Sequence, residues 1–246
     1  MQFPQIKKYT VELESKETLT ENTLLLRFKV NEGMNFIPGQ FIIMYIPHPN
    51  GILVKRSYSI ASDNADKYHL EFCITLKKEG LASKKFIEMQ INDTVEIEGP
   101  YGRFGPTEEE LTQEKEDSKK DKDQNHFIFI AAGSGVAPFR SILFDLERRG
   151  KQATLIYGFR TEKDYLFEND FKKLQNEKIK IIPTASQPEE NWEGDIGRVT
   201  ITLKKYLKKG SQKIFICGST QMVMDTLTVL DEIGFSREQI KFEGWG

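Results

Sequence analysis

Short alternating segments fill the first hundred residues of the chain. Leu70, Phe72, Ile74 and Leu76 alternate with other residues, which places them on one face of a strand. The pattern predicts six strands, at residues 9–13, 23–30, 41–46, 57–61, 68–76 and 94–97. One helix is predicted after Gly80, because apolar residues recur there at helical spacing. Six short strands of this kind are typical of an antiparallel β-barrel.

The second half alternates strands with helices. Strands are predicted at residues 127–131, 154–157, 178–183, 213–217 and 240–242. Helices are predicted at residues 137–149, 165–174, 200–207 and 222–233. This order is typical of βαβ units around a parallel sheet. We therefore predict two domains: a six-stranded antiparallel barrel followed by a Rossmann-like α/β domain.

A charged segment separates the halves. Residues 107–125 are rich in Glu, Lys, Asp and Gln, and Leu111 is almost alone as an apolar residue there. Such a run is usually a solvated linker, with an acidic docking segment as the alternative. The predicted boundaries are 1–106 for the barrel domain, 107–125 for the linker and 126–246 for the α/β domain.

Composition excludes several classes of protein. The chain has 246 residues, and 35 Lys and Arg against 37 Asp and Glu leave a net charge of -2, which argues against nucleic acid as the main partner. Two cysteines exclude a four-cysteine iron–sulfur or zinc site and a disulfide framework, and they fit a reducing compartment. No run approaches the roughly 18–20 apolar residues of a membrane helix, and Met1 to Pro4 do not resemble a signal peptide. We expect a cytoplasmic protein without a metal site.

The run Arg56-Ser57-Tyr58-Ser59 carries the most specific chemistry of the first half. A guanidinium offers several donors to a pyrophosphate, and an aromatic ring offers a flat surface to a planar ligand. On an ideal strand Arg56 and Tyr58 share one face, while Ser57 and Ser59 share the other. An ordinary strand with a surface arginine is the alternative. The run resembles the R-x-Y-S flavin-binding signature of the ferredoxin–NADP reductase family.

A second match follows in the order that the family shows. The run Gly80-Leu81-Ala82-Ser83 opens the predicted helix, and the amides at a helix N-terminus bind anions. It resembles the family's G-x-x-S element, whose amides hold the flavin phosphate; a simple helix cap by Ser83 is the alternative. The turns at 38–41 and 99–104 resemble the family's P-G-Q-F and G-P-x-G-x-F scaffold turns. The resemblance implies FAD rather than FMN.

The second half carries a dinucleotide pattern. The run Gly133-Ser134-Gly135 joins a predicted strand to a predicted helix, and Pro138 falls in the first helical turn, where its missing amide costs nothing. This form, G-[ST]-G-x-x-P, is similar to that of the ferredoxin–NADP reductase relatives. The alternative is a purely structural turn between strand and helix.

The choice between NADH and NADPH depends on two strand ends. Arg160 resembles the arginine of the family's Y-G-x-R, near the dinucleotide, with a salt bridge to Asp164 as the alternative. NADP-dependent relatives often have Ser-Arg where this chain has Ser186-Gln187, and Gln187 offers no charge to a 2′-phosphate. The run at 192–199, W-x-G-x-x-G-R-V, resembles NADH-using oxygenase reductases. These residues favour NADH, and the arginines at 160 and 198 keep NADPH open.

The resemblance also implies a reaction centre. Cys217-Gly218 resembles the family's C-G pair at the carboxyl end of a parallel strand, although a free cysteine is often structural. Glu243 and Trp245 resemble the family's C-terminal acid and aromatic residue, with an exposed tail as the alternative. By this resemblance Ser59, Cys217 and Glu243 are catalytic, while Gly218 and Trp245 contact the cofactors.

Together the motifs predict an FAD-dependent oxidoreductase. A hydride would pass from NAD(P)H to FAD, and electrons would then leave to an external acceptor such as a ferredoxin, an oxygenase component or a cytochrome. An electron-transfer subunit of a larger complex, with little activity alone, is the alternative. Such subunits in this family typically carry a C-terminal cysteine cluster, which is absent from this sequence. A regulatory module that binds flavin or nucleotide without turnover is the third possibility.

Overall fold

The computed structural model describes residues 4–112 and 126–245. Their contacts define two compact units. The first contains the chain up to Arg103 together with Ala137–Ile142, and the second contains Phe104–Val136 together with the chain from Leu143 onward. In the described ranges no helix is long and apolar enough to cross a membrane.

The first unit is built on a six-stranded antiparallel sheet, as the alternating pattern predicts. Its strands follow the order β4-β3-β6-β1-β2-β5. They are β1 (Lys7–Thr20), β2 (Thr23–Lys29), β3 (Phe41–Pro47), β4 (Leu53–Ser59), β5 (His69–Thr75) and β6 (Thr94–Tyr101). One helix, α1 (Leu81–Glu88), lies between β5 and β6 in the sequence.

One face of the strands forms the core of this unit. Leu70, Phe72 and Ile74 are buried in it, as their alternation predicts. Cys73 is also buried, but it occupies the other face of β5. Strand β1 runs on to Thr20, well beyond the predicted end at residue 13, because its polar half pairs with β2 and needs no apolar face.

The second unit contains a parallel sheet with the order β10-β9-β8-β7-β11-β12. Its strands are β7 (His126–Ala132), β8 (Gln152–Phe159), β9 (Ile179–Ala185), β10 (Asp195–Ile196), β11 (Lys213–Ser219) and β12 (Ile240–Trp245). The helices after β7 are α3 (Ala137–Arg148), α4 (Glu168–Leu174), α5 (Val199–Tyr206) and α6 (Thr220–Ile233). The first half of α3 belongs to the first unit by its contacts. The two-residue β10 has no sequence pattern of its own and was not predicted.

The predicted linker begins with a short helix, α2 (Glu108–Thr112). The Thr107 amide donates to Glu110 and the Glu110 amide donates to the Thr107 hydroxyl, which is the reciprocal arrangement of a capping box. Leu111 is buried, and Phe104 packs edge-on against Phe215 of the same unit. The rest of the predicted linker, residues 113–125, lies outside the described residues.

Candidate functional site

Strand β4 separates its four signature side chains onto two faces. Arg56 lies opposite Met44 and Tyr58 opposite Ile42, and both of these β3 partners are buried in the core. Ser57 and Ser59 lie opposite the half-buried Ile43 and Phe41 on the other face. The register therefore agrees with the ideal-strand expectation, and Ser59 points away from the face that Tyr58 occupies.

Tyr58 provides a fixed aromatic surface. Its ring meets Phe86 of α1 edge-on, with centroids 5.7 Å apart and planes inclined at 74°. Burial raises the pKa of Tyr58 to about 12, and the charge of Arg56 opposes this only in part. The phenol is therefore neutral at physiological pH, and the contact ties β4 directly to α1.

Arg56 is exposed and open to a ligand. Its Nη1 donates 2.9 Å to the carbonyl oxygen of its neighbour Lys55. In residues 4–112 and 126–245 the guanidinium forms no ion pair with a carboxylate. Since guanidinium donors match phosphate oxygens well, Arg56 suits an anionic ligand.

The N-terminus of α1 carries no side-chain cap. Ser83 is inside the helix, and its Oγ accepts a 2.8 Å hydrogen bond from the Lys77 amide, so Ser83 holds the preceding loop rather than capping the helix. A Cβ at Gly80 would lie 2.9 Å from that oxygen, which explains the glycine. The first amides, of Leu81 and Ala82, cannot find partners within the helix and can receive a phosphate. The uncapped N-terminus of α1 and the exposed guanidinium of Arg56 are each suited in chemistry to a phosphate group.

The glycine turn after β7 is a 3₁₀ turn, Gly133–Val136, that leads into α3. Gly133 has a φ of +54°, a left-handed value that glycine adopts without strain. A Cβ at Gly135 would lie 2.7 Å from the Cys217 carbonyl carbon and closer still to its oxygen. Pro138 is in the first turn of α3, as predicted. The turn therefore lies directly on the carboxyl end of β11, where dinucleotides bind in sheets of this type.

Cys217 and Glu243 are neighbours in the second unit. They face each other in the parallel register of β11 and β12. Burial, and then the charge of Glu243, raise the pKa of the Cys217 thiol well above its usual value. Burial also raises the pKa of the half-buried Glu243. The cysteine is thus a protonated, apolar side chain, and the glutamate holds a proton to higher pH than an exposed one.

We expect both thiols of the native protein to resist alkylation. Burial raises the pKa of Cys73 to about 12 and also raises that of Cys217 well above its usual value, so the reactive thiolate is scarce. A disulfide reagent at pH 8 is expected to label less than about a tenth of either thiol in the time that labels both in guanidinium chloride. Rapid labelling of one thiol in the native protein would contradict this assignment.

Arg160 contacts the other residue predicted to choose the nucleotide. Its Nε donates 2.8 Å to the Oε1 of Gln187, and the Gln187 amide donates 2.7 Å to the Arg160 carbonyl. The alternative for Arg160, a salt bridge to Asp164, was wrong among the described residues. The Asp164 carboxylate instead accepts hydrogen bonds from the amide and the hydroxyl of Thr161. Ser186 donates its amide and hydroxyl to the Phe159 carbonyl. The ends of β8 and β9 are therefore joined by hydrogen bonds between Arg160 and Gln187, the two residues predicted to choose the nucleotide.

The tryptophan of the run at 192–199 packs within the second unit. Trp192 Nε1 donates 2.9 Å to the Asp195 carbonyl, and its ring meets Phe159 edge-on at 5.5 Å. A Cβ at Gly194 would lie 2.6 Å from Cε2 of the indole. Packing therefore explains the residue types at Trp192 and Gly194, and these two residues do not indicate which nucleotide is bound.

The C-terminal residues of the described chain form a strand rather than a loose tail. Strand β12 extends past the predicted end at 242, and Trp245 pairs with Ser219 while its side chain stays 42% exposed. On the neighbouring strand, a Cβ added at Gly218 would lie 3.0 Å from the Met222 sulfur. The ring of Trp245 is thus available to a ligand on a backbone that β11 holds in place.

Arg140 is a buried residue that sequence reasoning passed over. It is 8% exposed, and its Nη1 donates to the Ala61 carbonyl at 2.9 Å and to Glu71 at 2.5 Å. Glu71 also accepts from Arg27 at 3.0 Å. Burial raises the pKa of Glu71, but the two guanidinium groups outweigh it, so the pKa is lowered overall. An arginine within an otherwise apolar helical stretch is the one hint that the sequence offers.

Comparison with known proteins agrees with both units. The family model described as "Oxidoreductase FAD-binding domain" matches residues 10–105, and that described as "Oxidoreductase NAD-binding domain" matches residues 129–228. The plasma membrane-associated coenzyme Q6 reductase of Saccharomyces cerevisiae is 26% identical over 96% of this chain and 74% of its own.

Solved structures share the fold over nearly the whole chain. The cytochrome P450 reductase of Amycolatopsis superposes with a TM-score of 0.85 at 20% identity, over 99% of this chain and 71% of that one. A ferredoxin NADP+ reductase from Neisseria gonorrhoeae, solved with bound FAD and NADP, gives 0.79 at 22% identity over 97% and 98%. These likenesses show the fold, and the two matched domains show that the chain belongs to the ferredoxin–NADP reductase-like family and is an NAD(P)H-dependent flavin oxidoreductase.

Proposed function

We propose that this oxidoreductase uses NADH as its hydride donor and passes electrons to an external redox protein. The observation that carries the choice of NADH is the uncharged Gln187, which accepts a hydrogen bond from Arg160 at the ends of β8 and β9. The binding of FAD is supported by the first unit, where Arg56 and Tyr58 share a face and Tyr58 contacts the helix whose N-terminus is uncapped. FAD, when bound, supplies the redox chemistry by accepting a hydride and releasing electrons. The protein supplies binding, orientation and electrostatics.

Four side chains of β4 and the N-terminus of α1 would bind FAD in the first unit. Arg56 would bind the negative phosphates through its guanidinium, and the amides of Leu81 and Ala82 would bind them through the uncapped helix end. The Tyr58 ring, which Phe86 meets edge-on at 5.7 Å, would offer its surface to the flavin. Ser57 and Ser59 offer hydroxyl groups on the opposite face of β4.

The second unit binds the nucleotide at the carboxyl edge of its sheet. The turn from Gly133 through Ser134 to Gly135 brings backbone amides to the pyrophosphate, since glycine leaves room for close approach. Cys217 excludes water from its part of this edge, because its thiol is fully buried and neutral. Glu243 holds a proton beside it, and Trp245 offers a ring surface at the end of β12.

The test of this function is an anaerobic titration of the purified protein. We expect a yellow protein whose flavin absorption is bleached by NADH at a lower concentration than by NADPH. A colourless protein that takes up no added FAD would exclude the proposal. Turnover with ferricyanide or cytochrome c then separates the alternatives: rapid turnover indicates a reductase that works alone, and weak turnover with a co-purifying partner indicates a subunit.

Replacing Gln187 by arginine is expected to improve the use of NADPH. The substitution places a second positive charge beside Arg160, whose Nε now donates to Gln187. Charge-assisted bonds to a phosphate justify a gain of about tenfold or more in kcat/KM for NADPH, with little change for NADH. Gln187→Met is the matched control, because it breaks the same hydrogen bond without adding charge. An equal gain in both variants would refute the role of charge at this position.

The acceptor and the location of the protein stay predictions. The coenzyme Q6 reductase and the P450 reductase named above serve different acceptors, so likeness alone does not choose one. We propose a protein acceptor, of which a ferredoxin is one candidate. A cytoplasmic location is proposed from the two free cysteines, which suit a reducing compartment.

A further inference from the structure

Lys16 reaches from strand β1 to the C-terminal end of helix α1. Its ammonium group donates 2.6 Å to the carbonyl oxygen of Met89 and 2.9 Å to that of Ile87. A third, longer contact of 3.4 Å joins it to the carbonyl oxygen of Phe86. A lysine has three N–H donors, and here all three have a carbonyl partner in the same turn of chain.

Helix α1 depends on such contacts because it is short. It has eight residues, and isolated helices of that length do not persist in water. Only Ser83 and Phe86 are buried, and no side chain caps the N-terminus. The last carbonyls of a helix lack partners within it and carry partial negative charge, so a lysine both satisfies and neutralises them. Lys85 is the sole basic residue that the helix itself supplies in its last turn.

Three contacts then fix the helix along its length. At its start, Ser83 accepts from the Lys77 amide; in its middle, Phe86 packs against Tyr58; at its end, Lys16 binds the carbonyl groups. A two-turn helix moves nearly as a rigid body, so release of one end changes the direction of the other. At about 1.5 Å per residue, Lys16 lies about 10 Å from the amides of the first turn and cannot itself touch a ligand there.

We propose that Lys16 is a positioning residue for the flavin phosphates. It holds α1 in the orientation in which the amides of Leu81 and Ala82 meet a phosphate, and its charge supports the helix dipole that favours the anion. This inference rests on the proposed binding of FAD to the first unit. A positioning role for Lys16 predicts that its loss lowers the affinity only for flavins that carry phosphate. A general stabilising role would lower the affinity for every flavin.

The test measures the binding of three flavins to the protein after its own flavin has been removed. For Lys16→Met we expect the affinity for FAD and FMN to fall about fivefold to tenfold, while the affinity for riboflavin, which has no phosphate, changes less than about twofold. Lys16→Arg keeps both charge and donors and should restore most of the FAD affinity. Lys29→Met is the matched control, since Lys29 is an exposed lysine at the end of the neighbouring strand β2.

Two results would overturn the inference. One is an unchanged FAD affinity in Lys16→Met; the other is an equal loss for FAD and riboflavin, which would indicate a general effect on the fold. If Lys16→Met does not fold, Lys16→Gln carries the same test, because it keeps amide donors and loses the charge. Failure of the unaltered protein to bind FAD would instead reject the proposed function, and this inference with it.

Discussion

Replacing Gly135 by alanine is expected to abolish reduction of the protein by NAD(P)H. The new Cβ would lie 2.7 Å from the Cys217 carbonyl carbon and 2.9 Å from the Gly218 Cα. Both are backbone atoms within the β11 ladder, so they cannot give way as a flexible side chain would. The turn must therefore move off the edge of the sheet that it now lies on. We expect the rate of flavin reduction by NAD(P)H, measured by stopped flow, to fall by about a hundredfold or more, because misplaced groups of about 1 Å already cost that much.

Two controls separate this effect from loss of the protein. Dithionite should reduce the flavin of Gly135→Ala as fully as that of the unaltered protein, since it needs no nucleotide turn. Gly51→Ala adds a methyl group where nothing lies within 4 Å, in the hairpin between β3 and β4. Its φ of +85° strains an alanine locally, but Gly51 is not part of the nucleotide turn, so the rate should be unchanged. A Gly135→Ala protein that NAD(P)H reduces at the normal rate would show that the turn does not bind the nucleotide as proposed.

Replacing Glu71 by glutamine is expected to cost about 3–5 kcal/mol of stability. The substitution removes the carboxylate to which the buried Arg140 donates at 2.5 Å and Arg27 at 3.0 Å. A charge taken out of water needs its counter-charge, and the loss of one partner is strongly unfavourable. The measurement is the midpoint of urea unfolding at pH 7. Glu14→Gln is the matched control: it also removes a partner of Arg27, but Glu14 is 43% exposed, so less than about 1 kcal/mol is expected.

The effect of Glu71→Gln should also depend on pH. Since the folded protein lowers the pKa of Glu71, the charge contributes stability above the unfolded value of 4.5, and this is lost as the pH falls through the lower folded value. The difference between the two proteins should therefore be full near pH 7 and shrink below pH 4.5. A difference that stays constant over this range would show that the charge of Glu71 is not what stabilises the unit.

Local patterns were enough to predict most of the fold. The alternation around Phe72 and the apolar strands of the second half carry the information in consecutive residues, so both sheets were predicted. Pro138 marked the beginning of α3 for the same reason, because its effect on the backbone is local. Boundaries were less accurate where polar residues pair in a ladder, as in the second half of β1, since such residues carry no apolar pattern.

The candidate site was predictable as a set of motifs but not as a set of contacts. Arg160 and Gln187 were each selected for the nucleotide, yet nothing in the sequence shows that they bind each other across 27 positions. Lys16 and Arg140 were missed for the same reason, because their partners lie about 70 positions away. Such pairings depend on which strands become neighbours, and one sequence gives no measure of that.

The division of the chain into units has a consequence for its synthesis. The first unit is completed by Ala137–Ile142, which follow a stretch of the second unit in the sequence. A nascent chain that has emerged only to Arg103 lacks the guanidinium that donates to Glu71 and Ala61. The ribosome must therefore deliver about forty further residues before the first unit has all its parts, and no single cut in the chain leaves both units whole.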